Sequence, residues 1–295
     1  MKKQALPWKT KILVSIAILL GLLFVGTVIA ALFGNEIETG NVAVVQIIGP
    51  IMSTDPGGFV AVATSTNIVE QLEKARDDDS IIGVILEINS PGGSAVASDE
   101  IAQAVKGLNK TSVAWIREVG ASGGYWIASA TDHVVANRMS VTGSIGVISS
   151  YLSFEEFLDD WNVTHNRLVA GDNKDVGSPF QRLQRSERAF LEEKLDRVHE
   201  FFIAEIAENR NLSVEDVPSD GSFFLGIEAY NLGLVDELGG KEEAENHIWR
   251  VTNTTVETIT YTEEQGFLET LLGAFREEEP MAQIKTELPF VPMLR

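Results

Sequence analysis

Apolar positions along this chain follow three patterns. Ile12 to Phe33 form an unbroken uncharged run of 22 residues, the length a helix needs to cross a bilayer core. Next come β-branched runs ended by glycine or proline. Val42 to Pro50 is one, and Ile81 to Ile88, entering Asn89-Ser90-Pro91-Gly92-Gly93, is another; both read as buried strands. Between them Ile68, Val69, Leu72 and Ala75 recur at helical spacing within Thr64 to Asp78. The same alternation continues with a helix from Ser98 to Leu108, a strand from Ser112 to Ile116, a turn at Ser122 and an alanine-rich helix to Ala130. Short strands are expected at Val134 to Ala136 and at Ile145 to Ile148. Strands alternating with helices imply repeated βαβ units, an α/β class with a mostly parallel sheet.

A long amphipathic helix is expected from Arg182 to Asn209, with Leu191, Leu195, Val198, Phe202 and Ile206 on one face. Packing within one chain is the simpler account of that face, and packing on another subunit is the alternative. Gly221 to Gly240 reads as a return to the core, and Glu277-Glu278-Glu279-Pro280 as a helix break before a terminal tail. The organisation is therefore a basic leader (1–11), a membrane-spanning anchor (12–33), a linker (34–41), one domain (42–276) and a tail (277–295).

Charge orients the apolar run. Lys2, Lys3, Lys9 and Lys11 precede it, and the first acidic residue, Glu36, follows it. The N-terminus is thus expected inside the cytoplasmic membrane, with the domain outside. A cleaved signal peptide is the alternative, but Thr27-Val28-Ile29-Ala30-Ala31 offers only a weak processing site. Net charge is −20, and without the four leader lysines the remaining 19 basic and 43 acidic residues leave −24. So negative a domain is unsuited to nucleic acid. The chain has no cysteine, which excludes thiolate nucleophiles and disulfides.

Candidate chemistry begins at Ser122, in Gly120-Ala121-Ser122-Gly123-Gly124. A serine among small residues, opening a helix, can be approached by a peptide carbonyl, and the Gly123 N–H would face the developing oxyanion. The motif alone reads equally well as a helix cap. Gly93 could supply a second N–H donor, although Asn89 to Ser94 alone is an ordinary strand-to-helix turn. Lys174 lies 52 positions after Ser122, in Gly171-Asp172-Asn173-Lys174-Asp175. To act as a base near pH 7 it must lose its proton about three units below the ~10.4 of a free lysine. Burial favours that and nearby carboxylates oppose it, so Asp172 and Asp175 would have to point away. An exposed lysine paired with those aspartates is the plainer reading of the segment by itself. His133, His165, His199 and His247 are the chain's histidines. None sits in a metal-binding pattern, and Asp132-His133 are strand neighbours that face opposite ways.

In combination these segments resemble the serine–lysine signal peptide peptidases, the protease IV family. Ile88 to Gly93 is similar to the family's oxyanion loop and Ala121 to Tyr125 to its nucleophile turn. Thr142 to Val147 and Lys174 to Pro179 are similar to its base region, and Leu232 to Gly240 to its closing segment. Only Phe180 and Gln181 depart from expectation. The resemblance spans about Val42 to Ile248. It implies a crotonase- or Clp-peptidase-like fold, Ser122 as nucleophile, Lys174 as base and Ser144 bonded to the lysine amine. It also implies Gly93 and Gly123 as oxyanion donors, peptide substrates such as cleaved signal peptides, no cofactor or metal, and a homo-oligomeric ring. Two rivals stay open: a crotonase-like acyl-CoA enzyme and a non-catalytic membrane scaffold. Leu288 to Arg295, apolar and proline-rich, could lie in the active-site groove as a product-like inhibitor or be an unstructured terminus.

Overall fold

The computed structural model describes residues 7–33, 40–57 and 62–261. The expected helix break at 277–280 and the inhibitory tail lie outside them, as does most of the linker. Helix α1 (Trp8–Phe33) contains the apolar run and starts four residues before it. Among the described residues it is long and apolar enough to cross a membrane.

The domain is built on strands β1 (Val42–Ile48), β4 (Gly83–Ser90), β5 (Thr111–Ala121) and β6 (His133–Ala136). Two-residue strands β2 (Ile51–Met52) and β3 (Ala63–Thr64) pair beside them. The main sheet runs β10–β1–β4–β5–β6–β9, with β9 (Glu237–Leu238) and β10 (Thr258–Tyr261) at its edges, and every pair along that path is parallel. Strand β4 is almost continuously buried, as expected of a parallel strand covered on both faces. The α/β class and mostly parallel sheet agree with the sequence pattern.

One face is covered by α2 (Ser65–Asp77), which buries Ile68, Leu72 and Ala75, and by α3 (Ala95–Lys106), which buries Ala97, Ile101, Ala102 and Val105. On the other side of α3 from α2 lies α4 (Gly123–Ser129), buried on every side. Burial pushes the Tyr125 hydroxyl's pKa well above its usual value, so it stays neutral and donates to the Leu234 carbonyl at 2.8 Å. The opposite face packs Val42, Val44, Ile85, Val113 and Val135 against Ala244 and Ile248 of α8 (Lys241–Thr252). The closing segment is tied in through Asp236. Its carboxylate takes two hydrogen bonds from Arg210, at 2.6 and 3.0 Å, and one from the Val134 N–H at 2.7 Å.

Strand β5 is longer than the sequence pattern suggests, because it forks. Val113 to Ile116 pair with β6, whereas Val119 to Ala121 pair with β7 (Val141–Gly143). Strand β8 (Phe223–Leu225) continues that branch antiparallel, and α7 (Gly226–Asn231) follows it. The strand expected at Ile145 to Ile148 is absent: it forms earlier and stops at Gly143. Gly143 (φ 78°) and Ser144 (φ 51°) are successive left-handed residues, which turns the chain out of the sheet. Helix α3 starts three residues earlier than expected because the Ser94 hydroxyl accepts from the Ala97 N–H. Helix α5 (Glu155–Asp160) stands in the following stretch. The long helix α6 (Arg185–Arg210) buries Phe202, Ile206 and Ala207 from its apolar face, while Leu191, Leu195 and Val198 stay partly open.

Candidate active site

Strand β5 delivers Ser122 to the start of α4 through a turn that its own backbone resists. Ser122 has φ 52° and ψ −123°, a region essentially closed to residues with a Cβ and worth about 1–3 kcal/mol of strain. Three features hold it there: the β5–β7 pairing, a hydrogen bond from its N–H to the Gly143 carbonyl (2.8 Å), and one from the Trp126 N–H to its own carbonyl (2.9 Å). The side chain makes no cap hydrogen bond. A capping serine would use its hydroxyl on the helix, so the cap reading of this residue loses its support. Strain kept without a cap hydrogen bond is the pattern that nucleophile turns show.

Two backbone donors converge beside it. Gly93 bridges to Ile51 through the neighbouring atoms: the Ile51 N–H donates to the Gly92 carbonyl (2.9 Å) and the Ser94 N–H to the Ile51 carbonyl (2.8 Å). The Gly93 N–H therefore faces away from β2. Gly123 is the first residue of α4, so its N–H has no acceptor within the helix. A Cβ on Gly123 would lie 2.2 Å from Ser98 Oγ and 3.4 Å from the Gly93 nitrogen, and one on Gly93 would sit 2.0 Å from the Ile51 oxygen. Gly93 has no room for a side chain against the Ile51 backbone, a side chain at Gly123 would have to turn the Ser98 hydroxyl aside, and the two N–H groups are near neighbours. Partial positive charge at the starts of α3 and α4 adds to them.

Ser122, Gly93, Gly123 and Ser144 all line one cavity of about 700 Å³. Its apolar side includes Trp126 and Phe202, stacked with ring centroids 4.7 Å apart. A hydroxyl, two free N–H donors and an apolar recess make up most of an acyl-transfer site. Four of the five sequence-predicted residues thus come together.

A protein-family model named Peptidase family S49 matches residues 104–253. The chain belongs to peptidase family S49. It is 33% identical over 193 residues to a Methanocaldococcus jannaschii protein named as a candidate protease, covering 64% of this chain and 61% of that one. It is 32% identical over 214 residues to an Enterococcus faecium protein named as a candidate signal peptide peptidase, covering 70% and 62%. A Synechocystis protein named as a candidate protease is 35% identical over 199 residues, covering 66% and 71%. This chain spans about three fifths of the length of the first two.

The S49 match includes Ser122, Gly123, Ser144 and Lys174, and begins after Gly93. Lys174 is the fifth predicted residue, and this structure does not bring it to the cavity. It sits exposed on a turn, its N–H bonded to the Gly171 carbonyl at 3.1 Å. Asp175, feared as its ionic partner, instead receives Arg167 on both carboxylate oxygens, one bond measuring 2.7 Å. The stretch around Lys174 is rich in uncovered apolar groups: Leu152 is 72% exposed, Trp161 71% and Leu168 97%.

The sequence placed His199 on the amphipathic helix without linking it to the Ser122 cavity, and gave no signal for Asp220. Both line the cavity. His199 Nε2 lies 3.2 Å from the Ile145 carbonyl; a carbonyl only accepts, so that nitrogen carries the proton and cannot be the base. Asp220 accepts from the Ser222 N–H, which holds its carboxyl below the usual range. Helical spacing put His199 on α6, but only the fold shows that α6 crosses the cavity.

Proposed function

We propose that this chain is a membrane-anchored serine endopeptidase that uses Ser122 and Lys174 and cuts peptides at the outer face of the cytoplasmic membrane. Signal peptides left in the bilayer after cleavage are its main substrates, with misfolded exported proteins a further class. The observation that carries the reading is the strained Ser122 turn facing two unengaged N–H donors. Membership of S49 and the names of its relatives support peptide-bond hydrolysis. The basic leader and apolar α1 support the anchor and its orientation, and the anchor would hold the site close to apolar peptides leaving the lipid.

The chemistry follows from the parts. Neutral Lys174 takes the proton of Ser122 as its oxygen attacks the peptide carbonyl, and the Gly93 and Gly123 N–H groups stabilise the oxyanion. The lysine ammonium then gives its proton to the departing amine, leaving an acyl ester on Ser122. Water, deprotonated by the Lys174 amine, then attacks the ester; the acyl–oxygen bond breaks, the acid leaves, and the Lys174 ammonium returns the proton to Ser122. Ser144, which lines the same cavity as Ser122, accepts from the lysine amine and aims it in this reading. Lys174 stands apart from the cavity within one chain and is flanked by exposed apolar side chains. In this reading a neighbouring copy docks those side chains, delivering its Lys174 to Ser122 and burying the amine enough to free it of its proton. A homo-oligomeric ring satisfies every site in that way.

The test is a serine-reactive fluorophosphonate probe together with a signal-peptide substrate. Labelling and cleavage by the wild type, both lost in Ser122→Ala, are expected. Cleavage that survives Ser122→Ala removes the proposal.

A further inference from the structure

A lysine that must be neutral to work is poorly served by an aspartate next to it. An opposite charge within about 4–6 Å stabilises the ammonium form by roughly 1–3 pH units. Lys174 has Asp175 on one side and Asp172 two residues before it, and belongs to a chain of net charge −20. Yet among the described residues its side chain makes no ion pair. The structure gives a reason at Asp175, where both carboxylate oxygens are already taken. Arg167 Nη2 donates to Oδ1 at 2.7 Å and Arg167 Nε to Oδ2, while Gln181 Nε2 donates to Oδ2 at 3.3 Å. This forked geometry is specific to arginine. It also spans the segment, joining the extended chain at Arg167 to the turn that carries Lys174.

We propose that Arg167 is a positioning residue for the base: it sequesters the Asp175 carboxylate, so that the Lys174 amine is left without an ionic partner. This rests on the Ser122–Lys174 reading. Other charged groups face the clamp: Glu155 and Asp159 of α5 line the same recess as Arg167 and Gln181, and Glu155 pairs with Arg182 at 3.3 Å. Asp172 and Glu187 both act on Arg167. Asp172 is exposed, where solvent screens its reach to Lys174. Glu187, at the start of α6, spends one carboxylate oxygen on the Gln184 N–H at 2.8 Å. The His165 ring lies tilted against Phe180, with centroids 5.4 Å apart. In keeping with the clamp, Arg167 holds the Asp175 carboxyl below the usual carboxylate range. The competing account is an ordinary surface salt bridge, which typically adds little stability and would leave the base's titration alone.

The two accounts separate in the pH dependence of kcat/KM, measured on the full-length protein in detergent with a signal-peptide substrate. The acid limb of that profile reports the base. In Arg167→Gln the freed Asp175 faces the amine, and the limb is expected to rise by about one pH unit. Below the limb kcat/KM then drops about tenfold, while the high-pH plateau survives. Adding Asp175→Asn to the same chain should return the limb to its wild-type position. Asp175→Asn alone leaves Arg167 as a free cation near the amine, so the limb should move down. A limb that stays put in Arg167→Gln, or that the second substitution fails to restore, overturns the proposal. Should Arg167→Gln not fold, an upward shift in Asp175→Asn overturns it equally. Lys174→Ala keeps the layers apart: full activity there sinks the dyad itself, whereas an inactive Lys174→Ala with an unmoved Arg167→Gln limb sinks only the clamp.

Discussion

The proposed nucleophile and the proposed base stand in opposite kinds of structure. Ser122 sits between a central strand and a helix buried on every side, and its backbone strain is balanced by pairing that local sequence dictates. Lys174 lies on an exposed turn, in a stretch whose large apolar groups, Leu168 above all, are open to solvent. The contrast teaches that the core fixes the Ser122 geometry within a single chain, while the lysine arm leaves large apolar groups open, and in the proposed reading its chemistry depends on what covers it. Each half can be attacked separately, and the two should fail differently.

The largest effect falls on the paired residues. Ser122→Ala and Lys174→Ala should each lower kcat/KM by about 10³-fold or more, since members of a nucleophile–base unit are grossly non-additive. Mixing the two inactive chains sharpens the contrast. If the base crosses to a neighbour, random assembly gives about a quarter of sites with both residues intact, so activity reappears. If each chain uses its own lysine, the mixture stays dead. Reassembly from denaturant followed by a peptide-cleavage assay decides between them.

Next in size is Gly123→Ala. Its Cβ would meet Ser98 Oγ at 2.2 Å, displacing the N–H that the proposed mechanism sets against the oxyanion. Loss of one such donor costs about 10²–10³ in kcat, and KM should hardly change. An unaltered kcat would show that Gly123 is not a donor. Smaller again is Leu168→Ser on the arm. Because this side chain is 97% exposed, the melting temperature of the isolated chain should not fall. If the arm is covered in an assembly, size-exclusion mass and activity should both decrease. A loss of stability in the isolated chain would mean that the arm packs on its own core.

Much of the core half was legible in the sequence. Uninterrupted β-branched runs gave β1 and β4, and paired glycines after β4 and at Ser122 marked the places where backbones approach closely. What the sequence pattern could not show was the fork in β5, because Arg117 and Glu118 break its apolar run while their backbone stays in the strand. It could not show His199 or Asp220 at the cavity, since neither carries a local signal and both depend on where α6 and the loop before β8 cross. The arm was hardest. Its motif around Lys174 was recognisable, but its partners were not, and the Arg167–Asp175 clamp joins residues eight apart with no periodic pattern.

The smallest expected effect tests whether the core half is stable independently of the chemistry. At the opposite ends of the strands from Ser122, His133 and His247 stack with centroids 3.8 Å apart. Burial first, then the charges of His133 and Arg250, lower the His247 pKa, opposed by Glu237 and Asp236. A histidine whose folded pKa lies below its unfolded value of about 6.5 binds its proton more readily in the unfolded chain. Stability is therefore full above about pH 6.5 and declines as pH falls through that value towards the folded pKa. A melting temperature lower at pH 5.5 than at pH 7.5 by a few degrees is expected. His247→Phe keeps a ring against His133 and removes the titrating group, so the difference should shrink. An equal fall in the variant would show that His247 is not the group responsible; the carboxylates of Asp236 and Glu237, whose pKa values are lowered, add their own loss only below about pH 4.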